Sequence, residues 1–489
     1  MAAALAAGAL VAVAACSGST PPTAATTTTA PAPPDGPSGS TPTPPGSGPA
    51  ITPTPLPDGL SVVYRAPGDA VEAGRGPGIG TQAVAVTDRA GQPVVIWSTF
   101  TDAAGAAAVI QASRYDPAAG AWTKPVDLFS GPVAHDGRGR SLAASTDPAT
   151  GTIHVVWAHG GDEPGPPRTV SLASSTDDGA TWSRQRVAEE AGLATPVVAA
   201  ADDLVHVSWW SEKDGIVRAV GTPATDPKAD RRWERTVAPV PAGFVPLAAA
   251  PAIATDGSGA PVIAYAATTP SGSLVRVLTW RPDRSAQPVA MADLAQPDPP
   301  ALALAMDGDL PVLALTGSQV SAPAAVPAIP TSAPPGTAVL PSPATTTTVA
   351  GTARRDAPGP WSWVVRTQPT GAPATPVAVE AGPAGQRTDD TPMPPALGLA
   401  VLDDGTAAVA LVPVSASTTC VVARQGRGGE ALGRAACSRG ADETQPQVIP
   451  SGRSPSIVRL GGTRVGVPLG NSQPAPALPV GVVLWSASS

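Results

Sequence analysis

The sequence predicts an all-β chain, a single β-propeller of four-stranded blades, and three observations carry that prediction. One short pattern recurs: a β-rich run, a turn around Asp or Gly, and a second β-rich run. Its copies are almost evenly spaced. Unmatched strand-like runs stand at either end of the repeated region. A fixed period of this size, made of short strands and turns, marks a radial β-repeat in which each unit buries its faces against its neighbours.

The copies are QAVAVTDRAGQPVVIW ending at Trp97, LAASTDPATGTIHVVW at Trp157, VVAAADDLVHVSWW at Trp210 and AIATDGSGAPVIAYA at Ala266. LALAMDGDLPVLALT ends at Thr316, LGLAVLDDGTAAVALV at Val412 and SIVRLGGTRVGVPLG at Gly470. Their turn centres, Asp88, Asp147, Asp203, Asp256, Asp307, Asp404 and Gly461, lie 59, 56, 53, 51, 97 and 57 residues apart. Seven blades follow, or six if Ser456 to Gly470 is an added hairpin. The long interval contains a Pro/Ala/Thr/Ser tract, residues 318–360, expected as a disordered excursion within the fifth repeat.

Leu60 to Ala66 (LSVVYRA) precedes the first repeat, and Pro479 to Ala487 (PVGVVLWSA) ends the chain one strand short of a blade. Pairing the two closes the ring and removes its open edges. The propeller therefore covers residues 59–489.

Residues 1–15 are apolar and shorter than the roughly 20 residues that span a bilayer, as in a signal-peptide apolar region. Val13-Ala14-Ala15-Cys16 is similar to a bacterial lipobox, which implies lipidation of Cys16; no Lys or Arg precedes the apolar run. Residues 16–58 are rich in Pro, Thr, Ser and Gly and lack periodicity. They read as a disordered spacer. The expected location is extracytoplasmic, with the membrane touched only through the lipid.

A net charge of -8 disfavours nucleic acid and anionic membrane surfaces as partners. Aromatic residues make up 3%, so the core must be mostly Val, Ala, Leu and Ile. Lysine occurs only at Lys124, Lys213 and Lys228, and with the Ala, Pro and Gly load this resembles an actinobacterial composition.

Ser175 to Trp182 reads STDDGATW, at the outer turn of the second repeat. Ser175 and Asp177 can accept hydrogen bonds from turn amides, Gly179 supplies a positive φ, and Trp182 drops back as an apolar plug. With Thr181, these residues resemble the Asp box, or BNR repeat, of sialidase-like propellers. Weaker copies are RYDPAAGAW (Arg114 to Trp122) and TDPKADRRW (Thr225 to Trp233). The resemblance implies a structural box, away from any substrate face.

An active sialidase is expected to use an Arg triad, a Tyr nucleophile with a Glu partner and an Asp acid/base. The tyrosines here, Tyr64, Tyr115 and Tyr265, all sit at packing positions of the repeat. Tyr64-Arg65-Ala66-Pro67 matches the family's early Phe-Arg-Ile-Pro motif poorly. No G-x-S-x-G elbow or P-loop is present. His154 and His206 share one repeat position, which suggests a shared packing or rim role. His154 and His159 are five apart on a strand and face opposite sides, so they do not make a metal site with Asp162 and Glu163. No cofactor is expected.

CVVARQGRGGEALGRAAC, Cys420 to Cys437, folds symmetrically about Gly428-Gly429. That hairpin closes on Arg427 and Glu430 and places Cys420 opposite Cys437, close enough for a disulfide in an exported protein. These features point to a monomeric surface lipoprotein that binds a glycan, cell-wall component or envelope protein without catalysis. Its alternatives are a glycoside hydrolase with non-standard residues and an extracytoplasmic scaffold or sensor.

Overall fold

The chain divides into two compact units, Met1–Thr52 and Pro53–Ser489, and every described residue lies in the second. The computed structural model describes residues 60–66, 80–100, 107–116, 118–119, 121–132, 142–160, 168–190, 195–222, 233–285, 287–295, 299–317, 320–323, 362–380, 397–411, 421–436, 447–451, 454–461 and 481–487. Residues 1–58, with Cys16, fall outside them, as do Cys420 and Cys437.

Seven antiparallel sheets are present among the described residues. The second comprises Leu142–Thr146, Ile153–His159, Arg168–Ser175 and Ser183–Glu190. The third comprises Val197–Ala201, Leu204–Ser211, Gly215–Gly221 and Glu234–Val237. The fifth and sixth likewise have four strands, beginning at Leu302–Asp307 and Leu397–Val401. The first strands of successive sheets pack side by side, and the series closes where Gly80–Thr87 meets Gln447–Ser451. This ring of radial sheets is a β-propeller.

Six of the seven inner hairpins turn where the Asp pattern places them, through a local device. The Asp88 carboxylate accepts the Ala90 and Gln92 amides at 2.8 and 2.7 Å, and Gly91 takes φ 76°. Asp256 does the same for Ser258 and Ala260, with Gly259 at φ 78°. Asp202 and Asp203 both adopt positive φ, the geometry of a two-residue hairpin turn. The turns also link the sheets: Thr146 Oγ1 donates to the Thr87 carbonyl at 2.7 Å, and the Asp203 amide to Asp147 at 2.9 Å.

The core lies between sheets. Along Ile153–His159, Val155 and Trp157 pack toward the first sheet and Val156 toward the third. Strands buried on both faces read as continuous apolar runs rather than alternating ones. Ala200, Ala219, Ala264, Ala266 and Ala314 let the sheets approach closely.

Leu60–Ala66 pairs with Gly481–Ala487, Leu60 opposite Ala487, and completes the seventh sheet as the chain ends suggested. That sheet corrects the sequence reading elsewhere. Its inner hairpin reverses between Ser451 and Ser454, whereas Gly461 ends the second strand opposite Gly481. Two further corrections concern blade size. The first sheet has five strands and the fourth has six. The sixth strand is Val320–Ser321, paired with Leu294 and Asp293, so these two residues of the 318–360 excursion are strand. The open edge of Val289–Leu294 had backbone groups to satisfy, and two residues of the excursion supply partners.

The sixth sheet corrects the Gly428-Gly429 turn. Gly426 donates to the Glu430 carbonyl at 2.8 Å, so Arg427, Gly428 and Gly429 form a three-residue loop. A register shift between Arg424 and Gln425 absorbs the difference. Beyond it Arg424 faces Gly433 and Val421 faces Ala436, the register expected for a Cys420/Cys437 pair.

Candidate functional site

The box at Ser175 to Trp182 is a self-contained turn between the third and fourth strands of its sheet. Asp177 Oδ1 accepts the Ser175 hydroxyl and the Thr181 amide, each at 2.8 Å, and Oδ2 accepts the Thr181 hydroxyl at 2.6 Å. Ser175 Oγ accepts the Gly179 amide at 2.8 Å, and Trp182 Nε1 donates to the Gly179 carbonyl at 3.0 Å. Burial would raise the Asp177 pKa, but the bonds from Thr181 and Ser175 outweigh it and hold the carboxyl below its usual range. Asp178 and Gly179 carry φ 57° and 87°, and Trp182 packs against the core shared by the first two sheets. The polar groups of Ser175, Asp177, Thr181 and Trp182 are thus engaged within the turn, while Asp178 faces Arg114 of the first sheet at 3.8 Å.

The histidines lie inside sheet interfaces. His154 is 1% exposed and its Nδ1 meets Ser174 Oγ at 2.9 Å. His206, equally buried, meets Arg218 Nη2 at 3.1 Å through Nδ1. A guanidinium only donates, so Nδ1 accepts and the imidazole proton resides on Nε2. Burial lowers the pKa of both to about 4, with Arg218 adding to the effect at His206. His159 lies instead against Phe129 of the first sheet, ring centroids 4.7 Å apart.

Tyr265 is fully buried between the third and fourth sheets, and its hydroxyl donates to the Pro239 carbonyl at 2.5 Å. Burial raises its pKa. Tyr115 pairs with Trp122 across the outer hairpin of the first sheet, and Tyr64 lies on the closing strand.

The arginines hold carboxylates of this same chain. Arg276 grips Asp293 through two bonds, 2.7 and 2.8 Å, with side chains 4% and 5% exposed. Arg218 reaches Asp283 of the fourth sheet, and Arg281 and Arg284 converge on Asp256. Among the described residues, no group of three or more His, Cys, Asp or Glu side chains could hold a metal ion.

A cleft of about 710 Å³ opens between the fifth and sixth sheets. Leu310, Val312, Val364 and Val377 form its apolar part; Arg427, Gly428 and Gly429 form the facing turn. Arg366 and Arg427 share Asp307. Arg427 Nε donates to Asp307 Oδ2 at 2.9 Å and Nη2 donates to Oδ1, while Arg366 Nη1 lies 3.4 Å from Oδ2. Arg366 also donates to the Gly405 carbonyl at 2.9 Å. Burial lowers its pKa, Asp307 opposes that, and the neighbouring Arg427 charge lowers it further. The sequence reading missed this cleft. The signal available was the glycine-rich outer turn of the sixth repeat, RQGRGGE, which carries no Trp.

No family model matches the chain, and no curated protein matches it. Among solved structures it is similar to a Penicillium chrysogenum alpha-L-arabinanase complexed with arabinobiose, at 11% identity over 89% of this chain and 98% of that one, with a TM-score of 0.43. It is also similar to Trypanosoma rangeli sialidase in complex with sialic acid, at 10% identity over 71% of this chain and 54% of the enzyme, TM-score 0.39. A third is SapL1 lectin in complex with alpha methyl fucoside, at 10% identity over 65% and 87% of the two chains, TM-score 0.35.

Proposed function

We propose that this chain is an extracytoplasmic lipoprotein, anchored through Cys16, whose seven-bladed sialidase-like propeller binds a glycan or envelope protein without cleaving it. The supporting observation is the state of the groups a sialidase-type reaction would need. Tyr265 is sealed between sheets with its proton held on the Pro239 carbonyl, which leaves no path to a sugar carbon. Arg276, Arg281 and Arg366 each hold a buried carboxylate of the chain itself, and recruiting them to a substrate would leave those acids unpaired; Arg218 is engaged by Asp283. Function on such a scaffold lies in loops at one end of the ring, which vary without disturbing the sheets.

The full chain, solubilised with its lipid, should leave fluorogenic sialosides and aryl glycosides intact at high protein concentration. It should retain a specific glycan or envelope protein in a pull-down. Reproducible glycoside turnover, abolished by replacing one carboxylate, would establish the hydrolase reading instead.

A further inference from the structure

The cleft between the fifth and sixth sheets marks a place that other interfaces fill with an indole. Trp182 and Trp233 each immediately precede the fourth strand of their own sheet, and Trp280 is the last residue of the strand before the corresponding turn. Each packs into the core shared with the preceding sheet. These positions are tightly filled. A Cβ on Gly179 would meet Val94 at 3.4 Å and the Trp182 ring at 3.6 Å, and one on Gly221 would meet the Trp233 ring at 3.0 Å. The corresponding turn of the sixth sheet carries no Trp: Glu430 immediately precedes the fourth strand, after Gly428 and Gly429, and its carboxylate would meet a Cβ on Gly428 at 2.8 Å. A Cβ on Gly429 would meet only Val377, at 3.9 Å.

The vacant place is apolar beneath and cationic at its rim. Val312 and Val364 are each 1% exposed, so the floor is well-packed aliphatic surface. Arg427 is 69% exposed at the side chain, and Asp307 fixes its guanidinium through Nε and Nη2. The outer edge, with Nη1 and the second Nη2 proton, is left for another acceptor. A guanidinium fixed in this way presents two parallel donors, the geometry that a carboxylate matches.

We propose that this cleft is a binding site for a flat aromatic ring that carries a carboxylate. The ring would occupy the place that Trp182, Trp233 and Trp280 fill in their own interfaces, against Val312, Val364 and Val377. The carboxylate would meet the outer edge of Arg427. The site is independent of the envelope-binding role proposed above, and its test does not depend on finding that partner.

The test titrates the full chain with N-acetyltryptophan, its amide and glucuronate, followed by calorimetry. N-acetyltryptophan should bind at least about tenfold more tightly than the amide, because only the acid engages the guanidinium. Arg427→Gln should remove that preference while the ring still binds. Thr375→Trp places an indole in the cleft from its exposed edge and should block acid and amide alike. Thermal melts of both variants confirm that the fold persists; Asp307 keeps Arg366 as a partner in the first. Equal binding of acid and amide overturns the proposal, as does tighter binding of glucuronate. So does a preference that survives Arg427→Gln, or no saturation by the acid at about 10 mM.

Discussion

Arg218 of the third sheet spans to Asp283 of the fourth at 3.1 Å while a second terminal nitrogen rests on His206. One guanidinium therefore ties an interface together and dictates the protonation of a buried imidazole.

The first prediction concerns pH. His154 and His206 have folded pKa values of about 4, against 6.5 in the unfolded chain. Below pH 6.5 the unfolded state takes up protons that the native state refuses. Stability is thus complete above pH 6.5 and falls as the pH drops toward 4, by on the order of 3 kcal/mol for each histidine. The lowered Asp147 and Asp256 carboxyls act in the same direction, but below the ordinary value of 3.8. Urea unfolding at pH 7.5, 5.5 and 4.5 measures the slope. A His154→Gln/His206→Gln variant that keeps the full slope refutes the assignment.

The second prediction addresses the box. Asp177→Ala strands the Thr181 amide and hydroxyl and should cost about 1–2 kcal/mol. Trp182→Ala empties part of the interface between the first two sheets and should cost about 3 kcal/mol. Because the motif's bonds close within the turn, ligand affinity per folded molecule should not change in either variant. Chemical denaturation gives the costs, and a binding titration gives the second readout.

Third, Asp293→Asn removes the carboxylate that buried Arg276 grips through two bonds, beside a Phe244 ring 4.9 Å away. The loss should be about 3–5 kcal/mol. Replacing both partners with apolar residues, Arg276→Met and Asp293→Leu, should recover most of it. A double-mutant cycle by urea unfolding separates the pair from its surroundings.

A fourth prediction is a Cys420–Cys437 disulfide. Continuing the register of Val421 opposite Ala436 by one residue would pair the two cysteines, and the loop so closed would stabilise the sheet by roughly 3 kcal/mol. Peptide mapping without reductant should recover the linked fragments; two freely alkylated thiols in the folded chain would contradict it.

The fifth is lipidation. Cys16→Ser should move the protein from the membrane fraction to the soluble extracytoplasmic fraction of its host, because the acyl chains on Cys16 are the proposed attachment. Unchanged fractionation would remove the anchor from the proposed function.

Where the chemistry was local, the sequence was readable. Asp88 and Asp256 announce their turns because one carboxylate and one glycine within four residues suffice to build them. The seventh hairpin was misplaced because Gly461-Gly462 has equally good turn chemistry. Its actual position is set by Gly481–Ala487, a partner whose pairing no local pattern records. The cleft was hidden for a related reason. Asp307 and Arg427 are 120 residues apart, and their contact exists only once two sheets stand side by side.

Among the described residues, Leu60–Ala66, made before any repeat, finds its sheet partner in Gly481–Ala487, made after them. Ring closure is therefore a contact of very long sequence separation, the kind that forms slowly and carries the largest loop entropy. Until it forms, the first and seventh sheets each present an unsatisfied flank, and two partly made molecules could exchange closing strands. Chain concentration during folding would then be a determinant of yield, and dimers that exchange Leu60–Ala66 are the misassembly this closure predicts.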